Sequence, residues 1–150
     1  DEGDHLPVPD GAGANHFLHG TIGDVAMRTT LRQHIDLKKL RSTIRKGATY
    51  HFSAWIGGWK KQKDEAQVRV VFFDEDGNEL GEDTLGPVTA ADRDSKNGMR
   101  KRQSEGSVPH ASHKVVIELI FDKEQGGSVS DAAMDLLELV ISKESAPLQN

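Results

Sequence analysis

The feature that most constrains this fold is a period-two alternation of apolar and polar residues. Tyr50, Phe52, Ala54 and Ile56 share one parity, while Trp55 lies on the other. The alternation recurs over residues 31–37, 68–73 and 115–121, and a last apolar run covers 136–141. This period is typical of strands with one buried face, and it argues against amphipathic helices in these segments.

Turn residues separate the alternating runs. Asp76-Gly77, Gly86-Pro87 and Gly126-Gly127 all lie between them, which favours an all-β sandwich built from short antiparallel strands. One short helix is predicted within 37–46, where apolar residues recur at spacings of three and four. Residues 86–113 carry few apolar side chains and are predicted to form a long, functional loop.

Composition narrows the class of protein. The 150 residues suit one domain, and the absence of cysteine removes disulfides, thiol catalysis and cysteine-ligated metals. A net charge of −5 argues against a general nucleic-acid binder, and no apolar run is long enough to span a membrane. The start of the sequence, residues 1–10, is acidic and polar and does not resemble a signal peptide.

Catalytic and zinc-binding motifs are missing from the sequence. It contains no Gly-x-Ser-x-Gly, no Walker or dinucleotide glycine pattern and no His-Glu-x-x-His. The seven histidines are scattered, and no two carboxylates stand out as an acid and base pair. We therefore expect no enzymatic activity.

Trp55 and Trp59 share the parity opposite to the predicted core face. Exposed indole rings are suited to stacking against sugar rings, and Arg32, His34 and Arg69 share the non-core parity of their own strands. The sequence therefore indicates a sugar-binding surface. The alternative is that a loop covers Trp55 and that Trp59 fills the end of the sandwich.

Two charged clusters suggest further sites. Arg93, Lys96 and the run 100–102 would hold a sulfated or carboxylated ligand, or else protect an exposed strand edge. Asp131 and Asp135 lie four residues apart beside Gly126-Gly127, a pattern that suits Ca²⁺ or, alternatively, a solvated pair at a strand end. The acidic segment 74–79 predicts a hairpin turn on Asp-Gly, because its glycine is misplaced for an EF-hand loop.

The order of these motifs resembles that of galactose-binding-like β-sandwich modules of secreted bacterial proteins. The resemblance covers residues 13–142 and is most specific from Gly86 to Arg93. It implies a non-catalytic jelly roll of eight or nine antiparallel strands, often with a structural Ca²⁺ near the chain ends. Asp131 and Asp135 match the acidic positions of the module's usual Asn-Asp-Gly-Tyr-Ala-Asp-Asn stretch, whereas Ala133 replaces its tyrosine and Leu136 its second asparagine.

The resulting hypothesis divides the chain into an N-terminal extension (1–12), a galactose-binding-like jelly roll of about eight strands (13–142) and a polar tail (143–150). The domain is expected to be a secreted, lectin-like or adhesion module that binds a glycan or glycoprotein. Its expected site residues are Trp55 and Trp59 for stacking, Arg93 and Arg100 for polar or anionic groups, and Asp131 and Asp135 for calcium. The alternative is a protein-interaction or spacer module.

Overall fold

The computed structural model describes residues 17–18, 25–126 and 130–145, and within them the chain forms eight strands. The strands are β1 (Phe17–Leu18), β2 (Met27–Asp36), β3 (Ala48–Gly58), β4 (Glu65–Phe73), β5 (Glu79–Leu85), β6 (Gly98–Ser107), β7 (Lys114–Lys123) and β8 (Ala133–Lys143). A 3₁₀ turn (Lys38–Leu40) leads into one short helix, α1 (Arg41–Lys46), which confirms the predicted helix. Within the described residues, no helix has the length and apolar character needed to cross a membrane.

The strands form two four-stranded antiparallel sheets. The order is β1-β8-β3-β6 in the first sheet, called sheet A, and β2-β7-β4-β5 in the second, called sheet B. Consecutive strands alternate between the sheets except at β4-β5, so the chain winds as a jelly roll. The predicted architecture, a single all-β jelly-roll sandwich of about eight antiparallel strands, is confirmed.

The core lies between the two sheets, where the parity of the runs 50–56, 68–73 and 115–121 predicted it, whereas Leu31 of the 31–37 run is 53% exposed. Phe52 and Ile56 of sheet A and Val70 and Phe72 of sheet B are almost fully buried. Ile44 of α1 is also fully buried and joins the same cluster. Burial of such side chains stabilises the fold by about 1.5–3 kcal/mol each.

Two features of the strands differ from the sequence prediction. Residues 86–113 do not form one long loop, because Gly98–Ser107 is the polar edge strand β6. In β8, a bulge at Leu136, whose φ is 47°, reverses the parity of the strand. Met134 before it and Leu137 after it both contact the core, so Asp135 lies on the outer face of sheet A.

The connectivity gathers three long connections at one end of the sandwich. These are residues 59–64, 86–97 and the described parts of 124–132, and we call this end the loop end. Hydrogen bonds join them: Lys60 N donates to Asn97 Oδ1 (3.0 Å), and Glu124 N donates to Asp64 Oδ1 (2.8 Å). The connections 37–47, 74–78 and 108–113 lie at the opposite end.

Candidate ligand-binding site at the loop end

Trp59 lies in a tight turn immediately after β3. Gln62 N donates to Trp59 O (3.0 Å), and Lys60 adopts a left-handed conformation with φ 43°. The Lys60 Nζ atom lies 4.9 Å from the centre of the Trp59 ring, which is a cation–π distance. The turn therefore holds an aromatic ring and an ammonium group side by side.

A cavity of about 480 Å³ opens beside this turn. It is lined by Trp59, Lys60, Lys61, Gln62 and Ser95. The site combines one partly exposed apolar ring with ammonium, amide and hydroxyl groups. This is the mixture of one apolar surface and a few polar groups that small-ligand sites use.

The 86–97 connection places Ser95 at the cavity. Thr89 and Asp92 cap a short turn reciprocally, since Thr89 N donates to Asp92 Oδ2 (2.9 Å) and Asp92 N to Thr89 Oγ1 (3.1 Å). Asp94 and Ser95 then adopt φ angles of 53° and 56°, and Ser95 N donates back to Ala90 O (2.8 Å). These bonds fix the conformation of the 86–97 connection, and the bond from Lys60 N to Asn97 Oδ1 joins it to the Trp59 turn.

Arg93 lies beneath the wall of the cavity and is 0 % exposed. Its Nη1 donates to Lys60 O (3.2 Å) and to Lys96 O (2.6 Å), so the guanidinium ties the Trp59 turn to the 86–97 connection. Its Nε and Nη2 atoms have no hydrogen-bond partner among the described residues. Burial lowers the pKa of Arg93, and the nearby charge of Arg100 lowers it further.

Asp64 organises the other side of the loop end. It is 6 % exposed, and its carboxylate accepts hydrogen bonds from Glu124 N (2.8 Å) and Asp131 N (3.1 Å). Burial raises the pKa of Asp131, and the charge of Asp64 raises it further. A second cavity of about 470 Å³ lies here and shares Lys61 and Gln62 with the Trp59 cavity.

The structure separates the two tryptophans. Trp55 lies on the outer face of sheet A, paired with Lys101 on one side and Asp135 on the other, and it does not line the Trp59 cavity. Gly57 lies between the two tryptophans in sequence, and the backbone of β6 fills the space beside it. A Cβ atom on Gly57 would lie 2.1 Å from Gly98 O. The two rings therefore belong to different surfaces.

The basic side chains that were predicted to assist the tryptophans also lie on different faces of the sandwich. Arg100 pairs with Ile56, so it lies on the inner parity of β6, close to Arg93 and away from the face that carries Trp55. Arg32 and Arg69 lie on the outer face of sheet B, in ion pairs with Glu118 and Glu82. The prediction that they partner Trp55 is wrong, because the outer faces of the two sheets point in opposite directions.

The two expected calcium ligands, Asp131 and Asp135, are close in sequence but contact different residues. Asp131 contacts Gln62 and Asp64, whereas Asp135 is 9 % exposed, and its Oδ1 accepts a hydrogen bond from Leu136 N (2.7 Å). Within 25–126 and 130–145, no three histidine, aspartate or glutamate side chains are arranged to hold a metal. Calcium at Asp131 and Asp135 stays a prediction.

Sequence reasoning missed two carboxylates that organise the structure. Asp83 Oδ2 accepts hydrogen bonds from Tyr50 Oη (2.7 Å) and Ser104 Oγ (2.5 Å). Asp83 shares its parity with buried Leu85, and that spacing was a usable signal for an inward carboxylate. Asp64 had no such signal, because its partners Glu124 and Asp131 are distant in sequence.

Comparison with known proteins supports the fold. No protein-family model matches the sequence, and no curated protein has a significantly similar sequence. Among solved structures, a family 16 carbohydrate-binding module is similar over 87% of this chain and 79% of its own, with 18% identity and a TM-score of 0.52. This similarity shows the fold alone.

Two further structures match more weakly. TmCBM61, solved in complex with β-1,4-galactotriose, has 13% identity and a TM-score of 0.42, with 81% of this chain and 66% of that chain covered. The enzymatically active domain of bacteriophage CBA120 tailspike protein 4 has 16% identity and a TM-score of 0.49 over 91% of this chain. This chain spans about a fifth (21%) of that tailspike chain.

Proposed function

We propose that this protein is a non-catalytic carbohydrate-binding module whose ligand lies against Trp59 at the loop end. The observation that carries the proposal is the cavity that joins the Trp59 ring to Lys61, Gln62 and Ser95. The C–H face of a sugar ring packs on indole, while side-chain donors and acceptors take up its hydroxyl groups. Carbohydrate-binding modules are among the solved structures that resemble this chain, which supports the proposal.

The lining of the Trp59 cavity favours binding over hydrolysis. Glycoside hydrolysis needs a pair of carboxyl groups on either side of the scissile bond. The five residues that line this cavity include no carboxylate. A sugar unit within this cavity would therefore be lined by stacking and hydrogen-bonding groups and by no acid and base pair.

The test is calorimetric titration with neutral oligosaccharides, starting with β-1,4-galactotriose. We expect Trp59→Ala to weaken binding about tenfold or more, because a stacked ring contributes on the order of 1.4 kcal/mol. Trp55→Ala is the matched control and should leave the affinity unchanged. Failure of the wild-type protein to bind any sugar on a broad glycan array would overturn the proposal and favour the protein-interaction or spacer role.

Calcium at Asp131 and Asp135 is a separate proposal. Ser130 Oγ and Asp135 Oδ2, which flank Asp131 in sequence, are buried and have no hydrogen-bond partner among the described residues, and Ca²⁺ takes oxygen ligands of this kind. Such an ion would stabilise the folded state, so we expect the melting temperature to fall on adding EDTA and to recover with excess CaCl₂. A melting temperature that does not respond would exclude a stabilising ion.

A further inference from the structure

We infer that the ligand of the Trp59 cavity is an anionic glycan, whose carboxylate or sulfate group is attracted by Lys60 and Lys61, by the buried charge of Arg93 and by the partly buried charge of Arg100. This inference rests on the proposed function, because it specifies the ligand class of the same cavity.

The lining of the cavity carries charge of only one sign. Lys60 and Lys61 supply two ammonium groups, and the remaining lining residues are neutral. Neither lysine has an ion-pair partner among the described residues. Lys60 Nζ is held over the Trp59 ring, so a sugar that stacks beside this turn would bring an anionic substituent close to it.

The guanidinium of Arg93 adds a charge that solvent screens poorly. It is fully buried, and its two hydrogen bonds go to the uncharged carbonyls of Lys60 and Lys96. Two of its nitrogen atoms have no acceptor in the described part of the chain. Buried charges act over longer distances than exposed ones, so this charge reaches the wall of the cavity that Lys60 forms.

Asp92 and Asp94 flank Arg93 in sequence, and the charge of Asp92 compensates that of Arg93 only in part. Asp92 Oδ2 already accepts a hydrogen bond from Thr89 N and lies 3.7 Å from Arg102 Nη2. Arg100, the second guanidinium near Arg93, donates from Nη1 to the carbonyl of Met99 and has no ion-pair partner among the described residues. The region beneath the Trp59 turn therefore has more positive than negative charge, although the protein as a whole has a net charge of −5.

The adjoining cavity has a mixed lining instead of a purely positive one. Asp64 and Glu124 line it together with Lys61 and Lys63, so positive and negative groups are balanced there. An anionic substituent is consequently favoured on the Trp59 side of the 59–64 turn. The contrast between the two cavities would also orient an elongated acidic oligosaccharide across the loop end.

The experiment compares pairs of ligands that have the same sugar backbone and differ in charge. Trigalacturonic acid and its fully methyl-esterified form are titrated into the full chain at two ionic strengths, roughly 50 and 200 mM. We expect the acid to bind about tenfold more tightly than the ester at low salt, with a smaller difference at high salt. A sulfated galactotriose, titrated beside unsulfated galactotriose, distinguishes sulfate from carboxylate as the preferred anion.

Matched variants identify the side chains that produce the preference for the anionic ligand. Lys60→Met with Lys61→Met should remove the advantage of the anionic ligand, while Lys63→Met, in the same turn, should keep it. Arg93→Met can fail to fold because the side chain is buried, so Arg100→Met, followed by a melting curve, tests the contribution of the guanidinium pair beneath the turn. We expect it to reduce binding of the acid more than binding of the ester.

The outcomes separate the two proposals. Equal affinity for charged and neutral partners of both pairs, or binding of neutral sugars only, would overturn the anionic preference and leave carbohydrate binding standing. The preference would also be overturned if the lysine double variant weakened acid and ester equally. Absence of binding by every sugar would remove the proposed function together with this inference.

Discussion

Tyr50 is the only tyrosine of the chain, and its hydroxyl offers a direct test of the structure at the edge of the sandwich. The hydroxyl donates to Asp83 Oδ2 (2.7 Å), and Ser104 Oγ donates to the same oxygen. Tyr50 and Ser104 belong to sheet A and Asp83 to sheet B, so the carboxylate joins the two sheets. Burial raises the pKa of Tyr50 to about 12, and the hydrogen bond and the charge of Asp83 contribute in the same direction.

The raised pKa makes stability depend on alkaline pH. The folded state favours the protonated phenol, so the stabilisation is complete below the unfolded pKa of 10.0 and is lost as the pH rises toward 12. A difference of two pKa units corresponds to about 2.7 kcal/mol. Because solvent reaches part of Tyr50 and screens the charge of Asp83, we expect a measured loss of about 1–2 kcal/mol.

The assay is the near-ultraviolet absorbance of the phenolate, which reports Tyr50 alone, with circular dichroism in the same samples to report folding. We expect a midpoint near pH 12 in the folded protein and near 10 in denaturant. Asp83→Asn should lower the pKa only partway, since burial is the largest cause of the shift, and Glu82→Gln on the outer face of β5 should leave it unchanged. A midpoint near 10 while the protein is folded would refute the described environment of Tyr50.

Two further substitutions test the structure of the loop end and of sheet A. Asp64→Ala should lower the free energy of unfolding by about 2–6 kcal/mol in urea denaturation, because two backbone N–H groups lose their acceptor at about 1–3 kcal/mol each. A loss below about 0.5 kcal/mol would contradict the anchoring role of Asp64. Gly57→Ala should destabilise by at least about 1–3 kcal/mol, since its Cβ would overlap Gly98 O. Gly77→Ala, in open space at φ 82°, is the control and should cost about 1 kcal/mol, so an equal effect at both sites would count against the close approach at Gly57.

The strands and the core could be predicted because parity records which face of a strand is buried. The alternation placed Phe52 and Ile56 in the core correctly. It failed for β6, whose polar residues follow from its position at the edge of sheet A, where few side chains need to be apolar. It also gave no sign of the bulge at Leu136, which reverses the parity of β8.

The candidate site was only partly predictable for a related reason. Trp59 was identified as a binding residue from its parity with Trp55, but β3 ends at Gly58, and parity has no meaning beyond the end of a strand. The burial of Arg93 depends on contacts with Lys60 and Lys96, which are set by how two connections meet. Contacts between connections depend on topology, and short-range patterns do not encode them.

The most direct test of carbohydrate binding at the loop end uses the two tryptophans as separate reporters. In a ¹H–¹⁵N NMR spectrum each indole N–H gives one signal, and Trp55→Phe identifies which signal belongs to Trp59. During titration with the oligosaccharide that binds best, we expect the Trp59 signal to shift and the Trp55 signal to stay. Movement of the Trp55 signal alone, or of neither signal, would contradict a glycan site at the loop end.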